Sequence, residues 1–119
     1  MIPPFVPVPE KRMARYLLIE SREPNESSSV TEQYELAAEL ASQGNDVSLF
    51  LVQNGVLPVR QGALGDALAR ATARGVKLLA DDFSLRERGI AAPLAGGAKP
   101  APIDVVIERM LDGTKVVWH

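Results

Sequence analysis

The chain reads as a single α/β domain of three layers built on a mostly parallel sheet. Two observations predict that class. Short apolar runs with β-forming character alternate with stretches carrying apolar residues at helical spacing, a pattern that builds a parallel sheet with helices on both faces. The turns are punctuated accordingly, with capping boxes ahead of two helices and glycines behind each one. At 119 residues, 46% hydrophobic and 24% charged, one domain with a substantial core is expected.

Residues 1–12 form an N-terminal arm in which Pro3, Pro4, Pro7 and Pro9 forbid a helix and favour an extended backbone. Either the arm is a tail, or it lays Phe5 and Val6 on a neighbouring subunit. The domain proper spans residues 13–119. Arg15 to Glu20 has the length of a buried strand and ends on a carboxylate. A loop follows from Ser21 to Ser28. Ser29 and Glu32 make a capping box for a helix carrying Val30, Tyr34, Ala37, Leu40 and Ala41, which Gly44 and Asn45 end. Asp46 to Gln53 is the second strand, and Asn54-Gly55 reads as a strand-to-helix loop. Gly62 to Arg74 is the second helix, stopped by Gly75.

Val76, Leu78 and Leu79 begin a third strand that closes on Asp81 and Asp82. Ser84 and Glu87 form a second capping box over a short helix ended by Gly89. Ile90 to Pro102, with three prolines and Gly96-Gly97, reads as a connector holding at most a short strand. Ile103 to Asp112 resumes helical spacing, and Lys115 to Trp118 is a last strand.

Composition excludes several functions. A net charge of −2 with no basic run argues against nucleic acid. No apolar run approaches the roughly 20 residues that a membrane helix needs, and residues 1–12 do not resemble a signal peptide, so the expected location is cytoplasmic. The chain has no cysteine and one histidine, the final residue His119, which is expected to be frayed. A Ser-His-Asp triad and a zinc site are therefore not expected, and the sequence implies no cofactor.

Glu20, Asn54, Asp81 and Asp82 all follow strands, so a parallel sheet would gather them along one edge. There the carboxylates could hold a hard cation or supply a base. Alternatively Asp81 or Asp82 caps the following helix and pairs with Arg86 or Arg88, which needs no ligand. The loop with Ser27 and Ser28 could bind an anion at a helix start, although Glu23 and Glu26 in the same loop oppose it.

One phrase carries a resemblance. Gly75, Val76, Ala80, Ser84, Leu85, Gly89 and Ile90 stand where the central segment of the DsrE/DsrF-like sulfur-relay family has its glycine, strand, small residue and Ser-Leu helix. Asn54, Gly55 and Val56 match the family's turn after its second strand. The rest of the family pattern follows in order, so the chain after its arm resembles a cysteine-free member with a DsrE/flavodoxin-like fold. Asp81 stands where the family's sulfur-carrying cysteine would be, which excludes persulfide transfer through a thiolate of this chain. The resemblance implies a homo-oligomer (dimer, trimer or hexamer) or a hetero-oligomer with similar chains.

Three functional readings follow. The first is a non-catalytic protein that binds a partner or small ligand, linked to sulfur trafficking. The second is an enzyme or metal-dependent binder using Glu20, Asp81 and Asp82. The third is a nucleotide or flavin binder using the loop at Ser27 to Ser29.

Overall fold

The computed structural model describes residues 13–119, so the proline-rich arm expected over residues 1–12 lies outside the described residues. Five strands form one sheet in the order β4-β3-β2-β1-β5, every neighbouring pair parallel. They are β1 (Arg15–Glu20), β2 (Asp46–Leu51), β3 (Lys77–Asp81), β4 (Lys99–Ala101) and β5 (Lys115–Trp118). The helices are α1 (Ser28–Ser42), α2 (Asp66–Ala73), α3 (Asp82–Glu87) and α4 (Asp104–Leu111).

Chirality fixes the layers. From β1 to β4 the chain steps outward in one direction, and right-handed crossovers then place α1, α2 and α3 on a single face. The return from β4 to β5 runs the opposite way across the sheet, so α4 lies alone on the other face.

The core divides accordingly. Leu18, Leu49, Leu51, Leu78 and Ala80 point to the three-helix face and pack with Val30, Tyr34, Ala37, Leu68, Ala71 and Leu85. Leu17, Ile19, Phe50 and Val52 point the other way, against Leu79, Val105, Val106 and Val116. Strands buried on both faces explain why RYLLIE and DVSLFL lack clean alternation.

Several boundaries differ from the sequence reading, each for a local reason. The first helix is capped by Ser27 rather than Ser29: the Ser27 Oγ accepts the Ser29 N–H at 3.2 Å. The third begins directly from its strand, and Asp81, still extended, is its cap in place of Ser84. The second strand, expected to reach Gln53, ends at Leu51; Asn54-Gly55, expected as a strand-to-helix loop, lies in a 3₁₀ segment, Gln53–Val59, and the helix expected from Gly62 starts at Asp66. The connector holds β4, an edge strand in which Pro100 is tolerated because one side of an edge needs no ladder donor.

Gly55 has a steric reason to be glycine, because a Cβ there would collide with the carbonyl oxygen of Glu20. That carbonyl also accepts the Val52 N–H at 3.0 Å, so it cannot easily retreat. Gly55→Ala is expected to cost about 1–3 kcal/mol through backbone displacement. Urea unfolding measures this, and an unchanged midpoint would mean the turn after β2 is softer than this contact implies.

Candidate functional site

The carboxyl ends of the strands carry the chain's polar side chains, but the pleat sorts them onto opposite faces. Glu20 shares its face with Leu18, towards α1; Asp81 shares its face with Leu79, towards α4. Two separate constellations result.

The first lies between β1 and β5, where the direction of strand order reverses and where open parallel sheets place their crevice. Glu20 is 0% exposed there. Its Oε2 accepts the backbone N–H of Arg22 at 3.0 Å, and its Oε1 lies 2.6 Å from Nδ1 of His119. A carboxylate accepts, so the imidazole donates through Nδ1. His119 is not frayed: its own N–H donates to the Ile19 carbonyl at 2.8 Å, extending the β1/β5 ladder by one residue. That register sets Trp118 beside Ile19, and the next step sets His119 beside Glu20. The strand-end carboxylate was legible in the sequence, but its partner 99 positions away required the register.

Tyr34 is buried on α1, on the same face of the sheet as Glu20. Burial first, then the charges of Glu20 and Glu23, raise its phenol well above the usual tyrosine range. Its hydroxyl is buried with no hydrogen-bond partner among the described residues.

The second constellation surrounds the start of α3. Asp81 Oδ2 accepts both the Ser84 N–H at 3.0 Å and the Ser84 hydroxyl at 2.6 Å. The Ser84 Oγ in turn accepts the Gln53 N–H at 2.8 Å, holding Gln53 at a left-handed φ of 53°. Asp81 and Ser84 are both buried. They line a cleft of about 230 Å³ with Gln53, Phe83, Ile103 and Trp118.

The remaining sequence candidates are occupied nearby. Asn54 Oδ1 accepts from Arg88 Nε and Nη2 at 3.2 and 3.0 Å, bracing the 3₁₀ segment to α3. Asp82 pairs with Arg86 at 3.7 Å. Ser27 is taken up in capping α1, and Ser28 stands exposed as the first residue of that helix. Glu20, Asp81 and Asp82 thus do not converge. Among the described residues no group of three His, Cys, Asp or Glu side chains is placed to hold a metal ion, nor is any helix long and apolar enough to cross a membrane.

An open all-parallel sheet with three helices on one face, one on the other and its polar side chains at the strand ends defines a class of small α/β domain. The DsrE/DsrF-like family model matches residues 14–118, and the chain belongs to that family. Solved structures share the fold. The ychN protein from E. coli superposes with a TM-score of 0.77 at 23% identity, over 90% of this chain and 100% of that one. MTH1491 from Methanobacterium thermoautotrophicum, a protein of unknown function, gives 0.70 at 14% identity, over 90% and 99%. BT1422 from Bacteroides thetaiotaomicron, a conserved protein of unknown function, gives 0.69 at 11%, over 88% and 94%. No match is found among curated proteins.

Two predictions follow from this geometry. Asp81→Ala and Ser84→Ala should each cost about 1–3 kcal/mol, since each strands a buried partner. The double variant should cost clearly less than the sum because the two losses overlap. Additive costs in urea unfolding would show that the two side chains do not act as one unit.

The second concerns pH. An unfolded tyrosine loses its proton near pH 10, whereas folded Tyr34 keeps its own to higher pH. The unfolded state then binds fewer protons, so stability falls as pH rises above about 10. Unfolding midpoints measured between about pH 9 and 11 should fall less steeply in Tyr34→Phe than in the parent. Identical slopes would mean that Tyr34 ionises in the folded state as it does in the unfolded chain.

Proposed function

We propose that this chain is a binding member of the DsrE/DsrF-like family, acting in the cytoplasm alongside sulfur-trafficking proteins without itself carrying sulfur. What carries this reading is the apolar surface left on the α4 face. No residue of α4 is buried, although its partly buried side chains Val105 and Val106 pack on the sheet. Ile103, Ile107, Met110 and Leu111 are exposed, Leu111 by 82%, and Trp118 on the edge strand is exposed by 63%. Phe83, also exposed, adds to it from the start of α3.

Large apolar residues scattered singly over a surface need no explanation, but several on one short helix and its following strand do. Each is worth roughly 1.5–3 kcal/mol if fully buried. Association costs about 4–15 kcal/mol in lost freedom, so several of them must be buried together. A second copy of this chain is the occupant we infer, in a homo-oligomer; a similar family chain is the other candidate.

Support from the cysteine position is chemical. Asp81 stands there with its Oδ2 engaged by Ser84, so it caps a helix and has no means of carrying a persulfide.

Native mass spectrometry of the purified chain tests the reading. A multiple of the chain mass is expected, and Ile107→Glu together with Leu111→Glu should shift the population to monomer. Both positions are exposed, so the folded monomer should keep its melting temperature within about 0.5 kcal/mol of equivalent stability. A parent that stays monomeric at high concentration, alone and mixed with family chains from the same cell, would overturn it.

A further inference from the structure

A cavity of about 340 Å³ lies on the three-helix face, away from α4, between the loop at Glu23–Asn25, α1, the 3₁₀ segment and the start of α2. It is of a size suited to a small molecule. Leu57, Pro58 and Leu68 give it an apolar wall, and Tyr34, Glu23 and Arg60 give it polar ones.

Three features of that wall point to a ligand. The Tyr34 side chain is 1% exposed, and its hydroxyl is buried without a partner among the described residues. A buried polar group left unpaired is a standing cost, which native structures rarely carry without a reason. Its neighbour Glu23 lines the same cavity. Burial and both acidic neighbours keep the phenol in its proton-bearing form, so it is a donor.

Next, the eight-residue helix α2 begins on this cavity. Its cap, Gly65, offers no side-chain bond to the first turn, and Gly65, Asp66 and Ala67 all line the wall. The free amides of a helix start favour a carboxylate. Arg60 stands in the same wall, steadied by its Nε–H donating to the Leu57 carbonyl at 2.9 Å, with no ion-pair partner among the described residues.

Last, the charges are of both signs. Glu23 and Asp66 are likewise outside any ion pair among the described residues. An anion alone would meet two carboxylates, and a cation alone would meet Arg60 and the helix start. We propose that this cavity binds a small zwitterion of the α-amino acid class with an apolar side chain. Its carboxylate lies at Arg60 and the free amides of the α2 start, its ammonium at Glu23 and Asp66, and its side chain against Leu57, Pro58 and Leu68. The Tyr34 hydroxyl gains its missing acceptor from the bound carboxylate. This inference does not depend on how the α4 face is covered.

The test is titration of the ¹⁵N-labelled chain with L-leucine, followed by the amide signals of Ala67 and Leu68, with acetate and n-butylammonium as singly charged controls. L-Leucine should give saturable shifts and each control much weaker ones. Arg60→Ala should weaken binding about tenfold or more, by loss of a charge-assisted contact. Tyr34→Phe should weaken it about fivefold, by loss of one hydrogen bond, while the ligand-free protein at neutral pH melts no lower than the parent. That combination separates a ligand donor from a structural one. No saturable shift with L-leucine overturns the proposal, as does acetate binding equally well. A Tyr34→Phe protein that binds as tightly as the parent and melts lower would assign the hydroxyl to an ordered water instead.

Discussion

The two-residue period of the pleated sheet decides which side chains at the carboxyl edge can meet. Glu20, Leu51 and Ala80 lie in one register row, and Asp81 stands one row further on. One row is one change of face. Glu20 therefore turns towards α1 and finds His119, while Asp81 turns towards α4 and finds Ser84. No adjustment of rotamers brings the two carboxylates together through a sheet filled by Leu17, Ile19, Phe50 and Leu18.

Glu20 is the residue through which most of that edge is tied. Its carbonyl accepts from Val52 and forces glycine at position 55, locking the turn after β2. Its carboxylate takes up the Arg22 amide, starting the loop to α1, and the His119 imidazole, fastening the end of β5. A buried carboxylate is tolerable only when both oxygens are engaged, and here they are. The partners come from three separate parts of the chain, so one residue ties all three to the edge.

How much of this was legible follows from which signals are local. The strand cores, the helix faces and the glycine stops are short-range patterns, and they yielded the α/β class, the parallel sheet and four of its strands. That a helix starts in this turn is legible because capping is local, but the Ser84 capping box points three residues too far along, and only the structure chooses Asp81 over Asp82 as the cap. Convergence of Glu20, Asp81 and Asp82 was not legible, since chain position after a strand says nothing of which face a side chain takes. His119 was misjudged for the same reason: a terminal residue is frayed unless a ladder holds it, and the ladder is a fact of β1/β5 register. β4 is only allowed for, as a short strand somewhere in the connector, because its three residues include proline and sit at an edge, where pattern and propensity are weakest. Tyr34 was read as a core residue of α1, which it is; nothing in a helical stripe reveals that a hydroxyl lacks a partner.

The strand order also fixes which face of the sheet is more thinly covered. Three outward steps bring three helices to one face, whereas a single return brings only α4, eight residues long, to a sheet five strands wide. Such a helix covers the strands beneath it and leaves its own outer side and Trp118 bare. The cleft containing Asp81 opens on that same side, bordered by Ile103 and Trp118. On the reading proposed here, whatever covers the apolar surface also closes that cleft. Asp81 caps α3 at the edge of that cleft, so the aspartate holds the region in shape without offering a nucleophile.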